Sequence, residues 1–328
     1  MPQNAIIAVT LNCNSGCISC DIWKNDKVKE VSPSFYKHLP SSLLGINITG
    51  GEPFLREDLP EIIAVVRNRC KKARIIISTN GLLTQKIKDA ARKILEIDHL
   101  VAMRVSIDGS EKTHDEIRGS TKGFKKAMDT VRALQEIGVK DLGIGFTVSS
   151  KNVAVIKTVY DLANQLGIEF SITVVTSSPI YFGDHECLKP ENNDILKCQF
   201  DELIRSELSH WNVKRWSRAY YDYTLLEYIK THRRPFSCDA GENFFYLNPD
   251  GNVYPCNTLD LELGNLNNNS FDEIWASRKA DEVRNIAREC DKCWMVCTAK
   301  TAIKRNRTKV ASWMIMNRLR TALRIQIR

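Results

Sequence analysis

No apolar run in this 328-residue chain approaches the roughly eighteen residues that a membrane-spanning helix needs. The N-terminus carries no secretory signal, because the apolar stretch 5–9 is short and a cysteine-bearing loop interrupts it at once. These absences predict a cytoplasmic protein. Eleven cysteines in a reducing compartment point to metal rather than to disulfides. Acidic residues are missing from 298–328, where nine basic ones occur: Lys300, Lys304, Arg305, Arg307, Lys309, Arg318, Arg320, Arg324 and Arg328. That tail exceeds the +8 of the whole chain, so the remainder is close to neutral. A near-neutral body argues against a nucleic-acid binder.

What is present is a strand–helix rhythm in a chain that is 43% apolar. Short apolar strands are expected at 5–10 and from Ile46, Arg74, Val101, Leu142 and Glu169, mostly about 28 residues apart. Phe124, Met128, Val131, Leu134 and Ile137 recur on one helix face that Gly138 ends; Ile156, Val159, Ala163 and Leu166 do the same before Gly167. Six such units predict an α/β fold, a partial (β/α)6 TIM-like barrel, with a doubly wound sheet as the alternative. Either way, loops at the strand C-terminal ends line the site.

Three groups of residues carry chemistry. Cys13, Cys17 and Cys20 follow the first strand in a C-x3-C-x2-C loop. Three thiolates leave one iron of a [4Fe–4S] cube without a protein ligand, the open position of a catalytic metal site; a zinc loop is the competing reading. The second strand runs into Gly50-Gly51-Glu52-Pro53, where glycines permit close backbone approach and a carboxylate can accept from an ammonium group; an ordinary turn is the alternative. The third strand ends in Ser78-Thr79-Asn80-Gly81 and the fourth in Ser106-Ile107-Asp108-Gly109. Ser106 and Asp108 point to one side of a strand and are candidates for ribose hydroxyls or for capping. His114 and Arg118 read as structural, and the fifth-strand segment 142–147 with Asn152 names no ligand. Further on, Cys238 and Cys256 flank the turn Asn248-Pro249-Asp250-Gly251, whose hairpin brings them together; Cys290, Cys293 and Cys297 follow. On their own these five cysteines suit a structural zinc site equally well.

Together these motifs resemble the radical S-adenosylmethionine (SAM) superfamily over about residues 5–297, with a C-terminal SPASM/twitch extension. The resemblance implies a SAM-binding [4Fe–4S] cluster on Cys13, Cys17 and Cys20, with SAM filling the open iron. It implies SAM contacts from Gly50, Gly51, Glu52, Pro53, Ser78, Asn80, Ser106 and Asp108. It also implies an auxiliary [4Fe–4S] cluster of the twitch kind on Cys238, Cys256 and Cys293, with Cys290 or Cys297 as the fourth ligand and Cys290 favoured by the pattern. One departure is Ser19, where the family commonly has an aromatic residue beside the adenine. The expected domains are a core barrel at 1–176, a helical connector at 177–237, the SPASM/twitch unit at 238–300 and a basic amphipathic helix at 301–328.

By that resemblance the enzyme cleaves SAM reductively, using a reductant such as flavodoxin or ferredoxin, and abstracts hydrogen from its substrate through a 5′-deoxyadenosyl radical. The expected class is an oxidoreductase or epimerase. Cys187, after the sixth strand, is a candidate hydrogen donor; like Cys198 it also reads as an unremarkable thiol, and Cys70 reads as inert. Trp211, Trp216, Tyr220, Tyr221, Tyr223 and Tyr228 either cover the barrel mouth or pack a helix pair. Trp313, Met316, Leu319 and Leu323 form an apolar stripe on the basic tail, suited to an anionic membrane at the inner face, to an acidic partner or to docking on the parent domain. Only twelve residues precede Cys13, which argues against a leader-peptide-binding domain and favours a small-molecule, carbohydrate or lipid-linked substrate over a ribosomal peptide. The absent GRR ending argues against a molybdopterin-type GTP cyclase. A rival from another class is a zinc protein with a nucleic-acid-binding tail, which leaves the strand-end motifs unexplained.

Overall fold

The computed structural model describes residues 1–24 and 28–327. Its strands are β1 (Asn4–Thr10), β2 (Gly45–Gly50), β3 (Arg74–Thr79), β4 (Ala102–Ser106), β5 (Leu142–Val148), β6 (Glu169–Val174), β7 (Phe244–Leu247), β8 (Asn252–Tyr254) and β9 (Gly264–Asn265). The helices are α1 (Leu59–Arg69), α2 (Thr84–Ile97), α3 (Glu111–Arg118), α4 (Gly123–Glu136), α5 (Ile156–Gln165), α6 (Asp194–Ser209), α7 (Val213–Thr231), α8 (Phe271–Trp275), α9 (Arg278–Arg288), α10 (Val296–Arg305) and α11 (Arg307–Ala322).

One sheet runs in the order β6-β5-β4-β3-β2-β1-β7-β8-β9. The first six strands pair in parallel and in sequence order, with no reversal. A doubly wound sheet needs a reversal, so this is the barrel-type winding. Helical crossovers cover the outer face, as a parallel sheet requires, because strands with two unsolvated faces must be packed on both. The alternation within each strand divides the two faces. Ile46, Ile48, Ile75, Ile77, Met103 and Val105 belong to the core, while Thr49, Ser78 and Ser106 stand on the other face.

The hairpin at 248–251 forms as expected, with Gly251 at φ +92° and Asn248 donating to its neighbours across the turn. Its first strand, β7, pairs in parallel with β1, from Asn4 opposite Phe244 to Ile7 opposite Leu247. The cysteine-bearing extension therefore continues the barrel sheet. Helices α6 and α7 pack as a pair, and none of the Trp and Tyr residues at 211–228 lines the cavity at the barrel mouth: Tyr220, Tyr221 and Tyr228 are buried, Trp216 and Tyr223 partly so, and Trp211 stays exposed. Tyr221 and Tyr228 donate from α7 to the carbonyls of Trp294 and Asp291 at 3.3 and 3.2 Å, gripping the segment that carries Cys293. Helix α11 docks by a different set from the expected stripe. Val310 and Asn317 are buried and Trp313 stacks near Tyr220 and Tyr223, while Met316, Leu319 and Leu323 stay exposed. Positions 310, 313 and 317 share one face at helical spacing, and 316, 319 and 323 lie on another. Among the described residues no helix is long and apolar enough to cross a membrane.

Candidate functional site

The C-terminal ends of the barrel strands open on a cavity of about 240 Å³. Each of five consecutive strands contributes hydroxyl side chains to its lining: Thr49, Ser78 with Thr79, Ser106, Thr147 and Thr173. Cys13, Cys17 and Cys20 form one wall, and Met295, between Cys293 and Cys297, reaches the cavity from the C-terminal extension. Arg118 is the single charged side chain of the lining among the described residues.

The cysteine loop is held from outside itself. Ile18 N–H donates to the Ile117 carbonyl at 2.9 Å, Ser15 Oγ donates to the Arg118 carbonyl at 2.8 Å, and Trp23 Nε1 donates to the Cys17 carbonyl at 3.2 Å. Gly119 ends α3 at φ +58°, and a side chain there would collide with the Gly16 carbonyl, so glycine lets the helix end press on the loop. Around the sulfurs, Ser15 Oγ lies 3.2 Å from Cys17 Sγ, Arg118 Nη1 3.8 Å from the same atom, and Asn80 Nδ2 3.9 Å from Cys13 Sγ. Burial pushes the Cys13 thiol up to about 11 and the Cys20 thiol to about 12, helped by the neighbouring thiolates. Thiolates here therefore call for positive charge, which metal supplies. Among the described residues no three His, Cys, Asp or Glu side chains converge tightly enough for one metal ion. A cubane needs no such convergence, because each thiolate meets a different iron. The donor set thus fits a three-cysteine cluster facing a cavity.

The glycine pair has a direct physical reason. Gly50 sits at φ +135°, and a side chain on it would strike the Thr10 carbonyl; one on Gly51 would strike Asn12. Gly51 N–H and Glu52 N–H instead donate to the Thr10 and Asn12 carbonyls, both at 2.9 Å, pinning the turn to the chain entering the cysteine loop. Gly50 and Gly51 line the cavity, whereas Glu52 and Pro53 stand behind it. The fully buried Glu52 carboxylate accepts from Asn80 N–H at 2.7 Å, Thr79 Oγ1 at 2.9 Å and Phe54 N–H at 3.2 Å. Burial outweighs those donors and lifts it to about 7. The turn's carboxylate is therefore a brace between two strand ends, not an open acceptor.

Ser78, Asn80 and Ser106 reach the cavity, but Asp108 does not. Buried behind it, Asp108 pairs with Arg118 Nη2 at 2.6 Å and accepts from Thr147 N–H at 2.8 Å. Two residues beyond Ser106 the chain has left β4 and turned inward, so strand alternation no longer sets its direction. His114 is buried and accepts from Asp108 N–H at 3.2 Å, with burial lowering it to about 4, a structural role as expected. Cys187 is exposed on a short 3-10 turn and outside the lining, so it is misplaced for donating hydrogen there.

Sequence reasoning read Arg118 only as structural and missed Tyr181 and Met295. Arg118 lies between Cys17 and Asp108; burial works against its charge, but Asp108 and then Cys17 outweigh this and hold it cationic. The signal was its place at the C-terminus of α3, beside Gly119. Tyr181 is buried, donates to the Gly50 carbonyl at 2.8 Å and tilts edge-on to Tyr246 of β7. Met295 had no signal beyond lying between two cysteines.

The second set is more deeply enclosed. Cys238, Cys256 and Cys293 are buried, and Cys290 and Cys297 partly so. Burial raises Cys238 to about 11 and Cys256 to about 12, with Cys293 close enough to add to both. Cys297 is pushed up by burial and by Cys293, Cys256 and Cys238; Cys290 by burial and by Cys293. Arg234 Nη1 lies 3.8 Å from Cys293 Sγ. Both cysteine sets border one apolar cluster built on Ile6, Ala8, Phe244 and Tyr246.

Comparison with known proteins decides the family. Residues 7–156 match the Radical SAM superfamily, and residues 238–294 match SPASM, an iron–sulfur cluster-binding domain. The chain belongs to the radical SAM superfamily and carries a SPASM domain. It resembles the AdoMet-dependent heme synthase of Methanosarcina barkeri, at 25% identity over 320 residues, 87% of this chain and 86% of that one. It also resembles the sporulation killing factor maturation protein SkfB of Bacillus subtilis, at 24% over 299 residues, 89% of this chain and 69% of that one. Its fold is similar to that of Streptococcus suis SuiB bound to S-adenosylmethionine, with TM-score 0.64, 15% identity, 87% of this chain and 68% of that chain. The cofactors of this radical SAM enzyme are S-adenosylmethionine, a SAM-binding [4Fe–4S] cluster and an auxiliary [4Fe–4S] cluster. Like other members it needs a reductant and a substrate.

Proposed function

We propose that this radical SAM enzyme modifies a peptide. The observation that carries this reading is the cavity lining: hydroxyls from five strand ends, and one cation already committed to Asp108 and Cys17. Such a surface suits neutral amides and hydroxyls. Heme bears carboxylates, which call for free arginine or lysine partners, so a heme-type substrate fits less well. The likeness to a peptide maturation protein along most of the chain supports the same reading. A carbohydrate or other small polar metabolite is the second reading, favoured by the same hydroxyls.

In this proposal Cys13, Cys17 and Cys20 hold the SAM-binding cluster. Cys238, Cys256 and Cys293 hold the auxiliary one, with Cys290 or Cys297. When bound, the first cluster and SAM supply a 5′-deoxyadenosyl radical. Gly50, Gly51, Ser78, Asn80 and Ser106 face SAM. Glu52, Pro53 and Asp108 keep the strand ends in register, and Arg118 holds charge beside Cys17. Ser106, Thr147 and Thr173 orient the substrate at the cavity wall. The core extends over 1–176, the helical connector over 177–237, the cluster-binding extension over 238–300 and the basic tail over 301–328, which contains the end of α10 and all of α11. Flavodoxin or ferredoxin supplies electrons.

The test is anaerobic release of 5′-deoxyadenosine under dithionite, with a pool of unmodified synthetic peptides or with Fe-coproporphyrin III. Stimulation by peptides, with a mass change in one of them, is the expected result. Stimulation by the porphyrin alone overturns it.

A further inference from the structure

The tail helix α11 uses only part of its apolar surface to dock. Val310 and Asn317 are buried and Trp313 is packed on α7. A second apolar face is left in solvent: Ile315 is 60% exposed, Leu319 61%, Leu323 69%, and Met316 is exposed beside them. At 3.6 residues per turn these four side chains fall within an arc of about 100° and extend about 12 Å along the helix. Lys309 and Arg320 lie together beyond the arc's Met316 side, and Arg318 lies beyond its Ile315 side. The patch extends beyond the helix, because Arg318 lies 4.9 Å from the Trp211 ring centroid, and Trp211 is 87% exposed with exposed Val213 nearby.

We propose that this face docks peripherally on an anionic lipid surface. A soluble chain gains nothing by leaving several large apolar side chains together in water, so the face needs a cover. Charge complementarity selects it. The last thirty-one residues, 298–328, hold nine cations and no anion, whereas the rest of the chain is close to neutral. An apolar arc bordered by long basic side chains is the arrangement of helices that lie in the headgroup layer: aliphatic groups enter the acyl boundary and the cations remain at the phosphates. Trp211, at the rim, suits the same layer. Each bordering cation near such a surface strengthens the attraction about fivefold. The proposal is independent of the peptide reading, since neither α11 nor Trp211 lines the strand-end cavity.

The experiment is flotation of the full chain, reconstituted with its clusters, with phosphatidylcholine vesicles and with vesicles that also contain phosphatidylglycerol. Binding is expected only to the second, falling as salt rises, with a blue shift in tryptophan emission that Trp211→Phe removes. The combined variant Ile315→Ser, Leu319→Ser, Leu323→Ser should weaken binding at least about tenfold. Lys309→Gln with Arg320→Gln should weaken it about tenfold or more. Unchanged iron content and melting temperature in both variants certify that they fold. Failure of the wild-type chain to float with the anionic vesicles overturns the proposal. So does equal binding to both vesicle types, unchanged affinity in either variant, or a concentration-dependent dimer that buries the same face without lipid.

Discussion

The two cysteine sets of this enzyme are built by opposite means. Cys13, Cys17 and Cys20 come from eight consecutive residues, and everything that steadies them comes from elsewhere: α3, the Gly50-Gly51 turn and the loop carrying Tyr181. Cys238 to Cys297 span sixty residues and are gathered by a hairpin, by the α7 tyrosines and by burial. The first set opens on a cavity, as a site that must admit SAM and substrate has to. The second is closed and, among the described residues, reaches that cavity only through Met295. The open site is braced on the side away from its cavity, whereas the closed one is gripped by α7 and enclosed by burial.

The largest effect that would break this contrast is expected from Cys238→Ala with Cys256→Ala. Iron should fall by about four per chain, product should vanish, and SAM cleavage should persist; loss of cleavage as well would make the two sets one unit. Single Cys290→Ala and Cys297→Ala variants, read by iron content and electron paramagnetic resonance, sharpen it. Only the variant lacking the true fourth ligand should lose the auxiliary signal.

Arg118→Gln tests the outside braces. It leaves the buried Asp108 unpaired and should cost about 3–5 kcal/mol in denaturant unfolding. A loss below about 1 kcal/mol would show that the brace carries little. Glu52→Gln gives a smaller, pH-dependent effect. Burial raises Glu52 from 4.5 to about 7, so its contribution to stability is fully present below about 4.5 and is lost as pH rises through about 7. The variant should be flatter over that window. It should also lose about 1–3 kcal/mol, because an amide cannot accept from Asn80, Thr79 and Phe54 together. Identical pH profiles would contradict the assignment. Cys187→Ser should leave both cleavage and product unchanged, since the thiol is exposed outside the cavity.

The six barrel strands and the hairpin were legible because alternation and turn residues are local signals; each strand begins within a residue or so of its expected start. The pairing of β7 with β1 was not, since no local pattern encodes a partner more than two hundred residues away. The same limit applies at the site. Cys13, Cys17, Cys20, Gly50 and Gly51 stand in contiguous motifs and line the cavity together. Asp108 and Glu52 have the right residue types but are turned inward by hydrogen bonds with distant segments. Arg118, read as structural, is both a brace and part of the lining. Peptide maturation was disfavoured on the short segment before Cys13, yet the composition of the cavity, assembled from five strands, leads the other way.

The measurement that tests the account most directly is anaerobic reconstitution of the Cys13→Ala, Cys17→Ala, Cys20→Ala variant beside the wild-type chain. Iron, sulfide and 5′-deoxyadenosine release are measured on both. About eight irons falling to about four, with release abolished, is the predicted result. Unchanged iron, or release that survives the triple substitution, would contradict the assignment of this loop as the SAM-cleaving site.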